Sequence, residues 1–392
     1  MTDSPPLLRP VPRWVRIWAV LTATVALLLL FLLGGFVTSF RVGMADPVWP
    51  TEPWYLVDKD WQKLEFGFLV EHTHRAAGWV VGILVSVLAV GAWASEPSKT
   101  LRWAGLAAIA LLLVAYGEFH RGMSAAETAG RAGQPMDTIP IPIGPGIATA
   151  TMAGLCLVVA GLAVTGGAFG RWARAMAVVG LIAVMIQGLL GGFRVFLNQL
   201  YGTELAAYHG TFAQVVFAVL ASVVTLSAPR GVGDSLPDTD RDRLKTLSLV
   251  LPAAVFVQLV WGVWLRHVGS PLAQRLHVMT AFVVTGVAVW LVVRSLASPV
   301  GRKQLGFLAY HLVGILAVQV MLGVEAWMGK FAAAGPQALV PPMLRQVSPG
   351  AAATRTLHVV VGTSLLAAAV VFALHVWRRP LEASLLPQKT ED

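Results

Sequence analysis

The sequence predicts an all-α polytopic membrane protein: two tandem, pseudo-symmetric four-helix bundles, with a helical hairpin inserted into the first. Three observations predict it. The 392-residue chain is 56% hydrophobic and only 12% charged, against about 25% charge in soluble globules. Apolar runs of the roughly 20 residues needed to cross a bilayer recur along its length. A short pattern, an apolar segment with glycine near its end and then a segment opening with histidine, occurs four times.

Ten spans are expected, at about 14–40, 66–95, 101–118, 146–168, 172–197, 204–227, 246–266, 277–298, 304–327 and 354–377. The first run is long and lacks an obvious cleavage site, so a retained helix is expected there and not a signal peptide. With both termini placed in the cytoplasm, the inner segments take the larger share of the 29 Lys and Arg residues, as basic residues favour that side. The net charge of +9 then belongs to cytoplasmic loops beside the lipid bilayer and calls for no nucleic acid. The first outer loop, "RVGMADPVWPTEPWYLVDKDWQKLEF", is acidic and rich in Trp and Pro, which suits an interfacial belt. The single cysteine, Cys156, sits inside an apolar run. It forms no internal disulfide and offers no thiolate metal site.

The repeat organises these spans. "LLGGF" stands at 32–36 and again at 189–193, with "QGLLGG" at 187–192, "QLVWG" at 258–262 and "QVMLG" at 319–323. Each lies near the outer end of an outward-running span, and each is followed by a returning span with a histidine in its first turns: His74, His209, His277 and His358. The unit is a hairpin, and two units make a four-helix bundle. Residues 1–99 hold the first hairpin and 171–230 the second, which completes the N-terminal bundle. Residues 246–378 form the C-terminal bundle. Residues 100–170 are an inserted hairpin, and two added helices preserve orientation.

A lone histidine near a membrane surface is usually a wetted polar residue. Four at matching positions and one depth point to a shared task. Imidazole suits iron, copper and zinc, while the cysteines and carboxylate clusters that zinc recruits are missing. Two facing histidines in a four-helix bundle are a natural axial pair for haem. His74 and His209 would serve one haem, His277 and His358 another. Glycines beside them would thin the helices for the macrocycle, or simply serve helix packing. His72 faces away from His74. His267 is expected in an outer loop, His311 and His375 lie at the inner side, and His120 stands at the right depth but outside the repeat.

Glu71 and His74 are spaced i, i+3, and Glu71 and Arg75 i, i+4, so all three share one helix flank. A carboxylate held in low dielectric beside a haem is placed to move protons; the plainer reading is a salt bridge at the helix start. The matching positions of the other units hold Ala206, Gln274 and Arg355, so the bundles are not chemically equal. Arg41, Arg194, Arg266, Arg275 and Arg355, with Arg75 on the motif itself, are candidate partners for haem propionates, or interfacial arginines reaching for water.

These residues carry a resemblance. The "E-x-x-H-R" of Glu71, His74 and Arg75 resembles the second-helix motif of the haem A synthase family. "VTSFRVGMADPVWPT" is similar to that family's first-helix exit. "QGLLGGFRV" followed by "YHGTFAQVVFA" is similar to its next hairpin, and the Q-x-x-x-G and histidine helices at 258–277 and 319–358 to its second half. The resemblance implies oxidation of the C8 methyl of haem O to the formyl group of haem A, for cytochrome oxidase assembly, in a bacterial cytoplasmic membrane. It implies that His74 and His209 hold the substrate haem O, that His277 and His358 hold a permanent haem b, and that Glu71 is the catalytic acid. Haem O synthase, an unidentified electron donor and further copies of the chain are the partners it suggests. Two features depart from the family: the first outer loop has no cysteine pair, and the inserted hairpin is additional, which leaves roles for His120 and Glu118 open. Two other classes fit parts of the pattern. A di-haem b electron-transfer protein explains the four histidines but not Glu71. A transporter would use Glu325 in "LGVEAW" as an intramembrane acid.

Overall fold

The structure is a computed structural model that describes residues 11–45, 49, 64–134, 138–165, 170–229, 238–331 and 347–378. Most of the first outer loop lies outside the described residues, and so do residues 46–48, 50 and 51 of the segment that resembles a family first-helix exit. Among the described residues ten helices are long and apolar enough to cross a membrane. In chain order they are α1 (Arg13–Ser39), α2 (Phe66–Ala94), α3 (Lys99–Arg131), α4 (Ile143–Thr165), α5 (Gly170–Phe196), α6 (Asn198–Ser227), α7 (Asp238–His267), α8 (Pro271–Leu296), α9 (Pro299–Phe331) and α10 (Pro349–Arg378). No β-strand occurs among them. The chain is a multi-pass helical membrane protein. Large apolar side chains such as Phe282, Phe307 and Met321 are exposed on its flanks, as a lipid-facing surface requires.

Local chemistry sets several helix starts. α8, α9 and α10 each begin at a Ser-Pro step. The serine oxygen accepts from the backbone N–H three residues on: Ser270 from Ala273 at 3.3 Å, Ser298 from Gly301 at 3.0 Å and Ser348 from Ala351 at 3.2 Å. Proline costs nothing at the following position, where the missing N–H has no partner to lose. Ser98 caps α3 in the same way, accepting from Leu101 at 3.4 Å. Inside α1, Ala26–Phe31 widens into a π-helical turn just before Gly34.

The helices pack as two closed rings. In the first, α1 touches α2 and α6, α5 touches α2 and α6, and in the second α7, α8, α9 and α10 contact one another in sequence and close through α10 on α7. The inserted hairpin, α3 and α4, lies outside the first ring against α2 and α5. It shares that ring's core: Ile109 and Leu112 of α3 and Ala160 of α4 are buried with Val85, Trp93 and Leu181. The rings meet where α10 packs on α1 and α6, and where α6 packs on α7.

Buried polar contacts pin this arrangement at both ends. At the end opposite the four histidines, Arg174 of α5 donates to the carbonyls of Ala92 (3.0 Å) and Ser95 (2.8 Å) at the end of α2, and its Nε lies 3.4 Å from buried Glu96. Arg378 of α10 caps α6 through the carbonyls of Thr225 and Ala228. Cations fit helix C-termini, where unpaired carbonyls concentrate negative charge. Between the rings, Thr363 donates to Gln214 at 2.9 Å in a buried contact.

Candidate paired-histidine sites

The four repeat histidines stand at the same end of the molecule, one on each of α2, α6, α8 and α10. Each imidazole lies against the glycine of the preceding helix. A Cβ added at Gly34 would come 2.9 Å from Cε1 of His74, at Gly262 2.9 Å from Cε1 of His277, and at Gly323 3.0 Å from Cε1 of His358. At Gly191 the approach to His209 is looser, 3.4 Å. The sequence leaves these glycines open between room for a macrocycle and helix packing. The structure puts the imidazole rings themselves against them. Without a side chain at that point, the Cε1 edge of the ring can approach its neighbour's backbone.

Glutamines complete the motif in three units. Gln187 brings its amide nitrogen to 3.1 Å from Nε2 of His209 and also donates to that residue's carbonyl at 3.1 Å. The amides of Gln258 and Gln319 stand 3.4 Å from Nε2 of His277 and His358. Nδ1 of His277 donates to the backbone carbonyl of Gln258 at 3.0 Å, and Thr280 donates to the Gln258 side-chain oxygen, which turns the amide nitrogen toward the ring. The carbonyl contact fixes the His277 tautomer and leaves Nε2 unprotonated, where it faces the Gln258 amide. The sequence reading noted these glutamines as pattern only; their i, i−4 spacing from each glycine was the available signal.

The ring centres of His277 and His358 are 6.2 Å apart with planes at 80°. Two imidazoles sharing one iron at metal–nitrogen distances of about 2 Å place their ring centres roughly 6 Å apart. The C-terminal pair matches that separation, with Nε2 of each ring 3.4 Å from a glutamine amide. His74 and His209 make no ring contact but lie within electrostatic range of each other. Among the described residues no three His, Cys, Asp or Glu side chains gather around a common point.

The surroundings are strongly cationic. Glu71 is buried, 3% exposed, and accepts from Arg75 at 2.8 Å. Arg194 lies within electrostatic range of Glu71, Arg75 and both N-terminal histidines. Its guanidinium packs onto Gly43, and its Nε is buried without a hydrogen-bond partner among the described residues. Arg266 leaves the C-terminal ring to donate to the Gly35 carbonyl and to Ser39, both at 2.7 Å, and to the Arg355 carbonyl at 3.3 Å. Ser39 also bonds Thr356 at 3.0 Å. Arg75 and Arg194 stand beside the one buried carboxylate, and Arg266 and Arg355 beside each other; such an excess of cations favours an anionic guest, and guanidinium groups suit carboxylates.

The other expected residues separate clearly. Arg41 is exposed, within electrostatic range of Arg355, and adopts a left-handed φ of 61° at the exit of α1. Arg275 is exposed on α8 and makes no hydrogen bond among the described residues, which removes it from the cluster; it points outward because it lies two positions from inward-facing His277. His267, expected in a loop, is the last residue of α7. Its Nε2 lies 3.6 Å from where a Gly210 Cβ would be, and it is within electrostatic range of His209 and Arg194. His72 is buried and stacks on Phe68. His120 is enclosed by the rings of Trp49, Trp79, Tyr116 and Phe119 at 4.5–6.4 Å, and Glu118 pairs with Arg121 at the exposed surface. His311 and His375 bond carbonyls of their own helices. Glu325 is exposed and accepts from Thr354 at 3.0 Å. Comparison with protein-family models, with curated proteins and with solved structures finds no match.

Proposed function

We propose that this protein is a haem-dependent membrane oxidoreductase of the haem A synthase type, taking haem O as substrate and haem b as a permanent cofactor. The observation that carries the reading is the fourfold histidine-on-glycine arrangement, with His277 and His358 spaced for one iron. The reading places the protein in a bacterial cytoplasmic membrane with its histidine end outward. Haem O synthase is the supplier it implies. Taking the C8 methyl to a formyl group removes four electrons and adds one oxygen atom, so the reaction draws on an oxidant of the dioxygen class from outside the chain, with an external electron donor to reduce the oxygen atoms that leave as water.

In this reading His277 and His358 hold haem b, and His74 and His209 hold haem O. Bound haem supplies the redox chemistry. The chain's residues do the rest. The Gln258 carbonyl fixes the His277 tautomer. Arg194 and Arg266 receive carboxylates from the guest. Glu71, buried and bridged to Arg75, takes up and returns protons at its carboxylate oxygens. The packed helices of the first ring keep water from the reacting methyl.

Purified protein co-expressed with a haem O supply should carry haem b and yield hydroxylated or formyl haem on extraction. Haem b at both sites with no modified haem would instead favour a di-haem electron carrier.

A further inference from the structure

One helix end serves both rings. α7 belongs to the C-terminal ring, where its Gly262 lies against His277. One turn further on, the same helix reaches into the N-terminal ring. Nη2 of Arg266 donates to the Gly35 carbonyl and to the Ser39 oxygen of α1, both at 2.7 Å. Gly35 follows Gly34, the residue against which His74 lies. His267 reaches α6 instead: its Nε2 lies 3.6 Å from where a Gly210 Cβ would stand, and Val263, one turn earlier on the same face, lies 3.3 Å from that point. Gly210 follows His209. Two consecutive residues of the second ring thus touch the chain beside both histidines of the first. The packing gives this step a task. The half of α1 away from the histidines, Arg13–Val25, packs on α6, whereas Leu32–Ser39, at the histidine end, packs on α2 and α10. Arg266 and His267 bridge α1 and α6 at that end. A charged donor makes short, strong hydrogen bonds, and the planar guanidinium fixes direction as well as distance.

We propose that Arg266 and His267 are positioning residues of the N-terminal pair, supplied by the C-terminal ring. They hold the outer ends of α1 and α6 at the separation at which His74 and His209 bracket one haem. This rests on the haem reading above. The two rings are then not independent holders: the helix that carries the glycine of His277 also sets the geometry of the other site.

The test uses the full-length, haem-loaded protein in detergent. The electron paramagnetic resonance signal of a ferric haem held by two imidazoles follows the angle between their planes, and haem loss is timed by transfer to an excess of haem-free globin. The His277→Ala and His74→Ala backgrounds assign each signal and rate to its site. Arg266→Lys keeps a cation for a carboxylate of the guest but loses the two-pronged grip on α1. It should shift the N-terminal signal and speed loss of that haem by about 10-fold or more, as losing a hydrogen bond to a charged group allows. The C-terminal haem should keep its signal and rate. His267→Ala should act in the same direction, and His267→Phe, which keeps a ring against Gly210, should behave as the unaltered protein. An N-terminal signal and rate unchanged in both Arg266→Lys and His267→Ala, or equal changes at the two sites, would overturn the proposal. So would a His267→Phe protein as impaired as His267→Ala, since the imidazole itself would then bind the guest. Should Arg266→Lys fail to fold, His267→Ala decides, and an unchanged N-terminal site sinks the idea. Protein that takes up no haem overturns the functional reading beneath, and this proposal with it.

Discussion

In the C-terminal ring both repeat histidines meet glutamine amides and their ring centres stand 6.2 Å apart. In the N-terminal ring only His209 has its glutamine, and His74 has none among the described residues. There too the buried carboxylate Glu71 and the partly buried Arg194 close in around the pair. The same hairpin plan thus gives one pair whose two histidines both meet glutamine amides and one pair in which a single histidine does, beside a buried carboxylate and arginines. A repeat fixes where the histidines stand; the residues around them set their chemistry.

The comparison breaks most visibly through the ligands. His277→Ala should abolish the resident haem and its stabilisation, which linkage puts at about 3 kcal/mol for a ligand present at a hundred times its dissociation constant. Thermal unfolding followed with haem absorbance measures it. His74→Ala should leave that stabilisation largely intact. Equal losses from the two variants would erase the distinction between the rings.

Glu71→Gln should cut methyl oxidation by 10²–10⁴-fold, the usual range for a lost acid–base group, with haem content unchanged. The matching position in the last unit is already an arginine, Arg355, so no equivalent acid exists there. Activity that survives the change would reduce Glu71 to the partner of Arg75.

The glycines sharpen the comparison at smaller cost. Gly262→Ala and Gly323→Ala force a methyl against a ring that is already tied by glutamine, at about 1–3 kcal/mol for overpacking. Gly191→Ala has room at 3.4 Å and should be tolerated. Haem retention across the three variants, measured by absorption after dialysis, should fall in that order of crowding. The smallest effect belongs to Glu325→Gln. The residue is exposed and bonded to Thr354, so stability should shift within about 0.5 kcal/mol and haem content not at all. A large functional loss there would revive the transporter reading.

The existence and order of all ten spans were legible in hydropathy. Helix ends were not. The span expected at 101–118 runs from Lys99 to Arg131, about 50 Å at 1.5 Å per residue, because hydropathy reports the solvent and not the backbone, and Ala- and Glu-containing sequence continues the helix past hydrocarbon. His267 was misplaced for the same reason, since α7 stays helical through the polar Arg266–His267 step. The π-helical turn at Ala26–Phe31 left no mark among six apolar residues. The inserted hairpin's packing on α2 and α5 could not be read, because apolar faces of equal character do not name their partners.

The most direct measurement is the haem-to-protein ratio, with absorption spectra, of the unaltered protein, His74→Ala and His277→Ala. Two haems are expected in protein supplied with both, with His277→Ala losing the low-spin b-type signal and His74→Ala keeping it. Loss of the same signal from both variants, or no haem in any of them, would contradict the account.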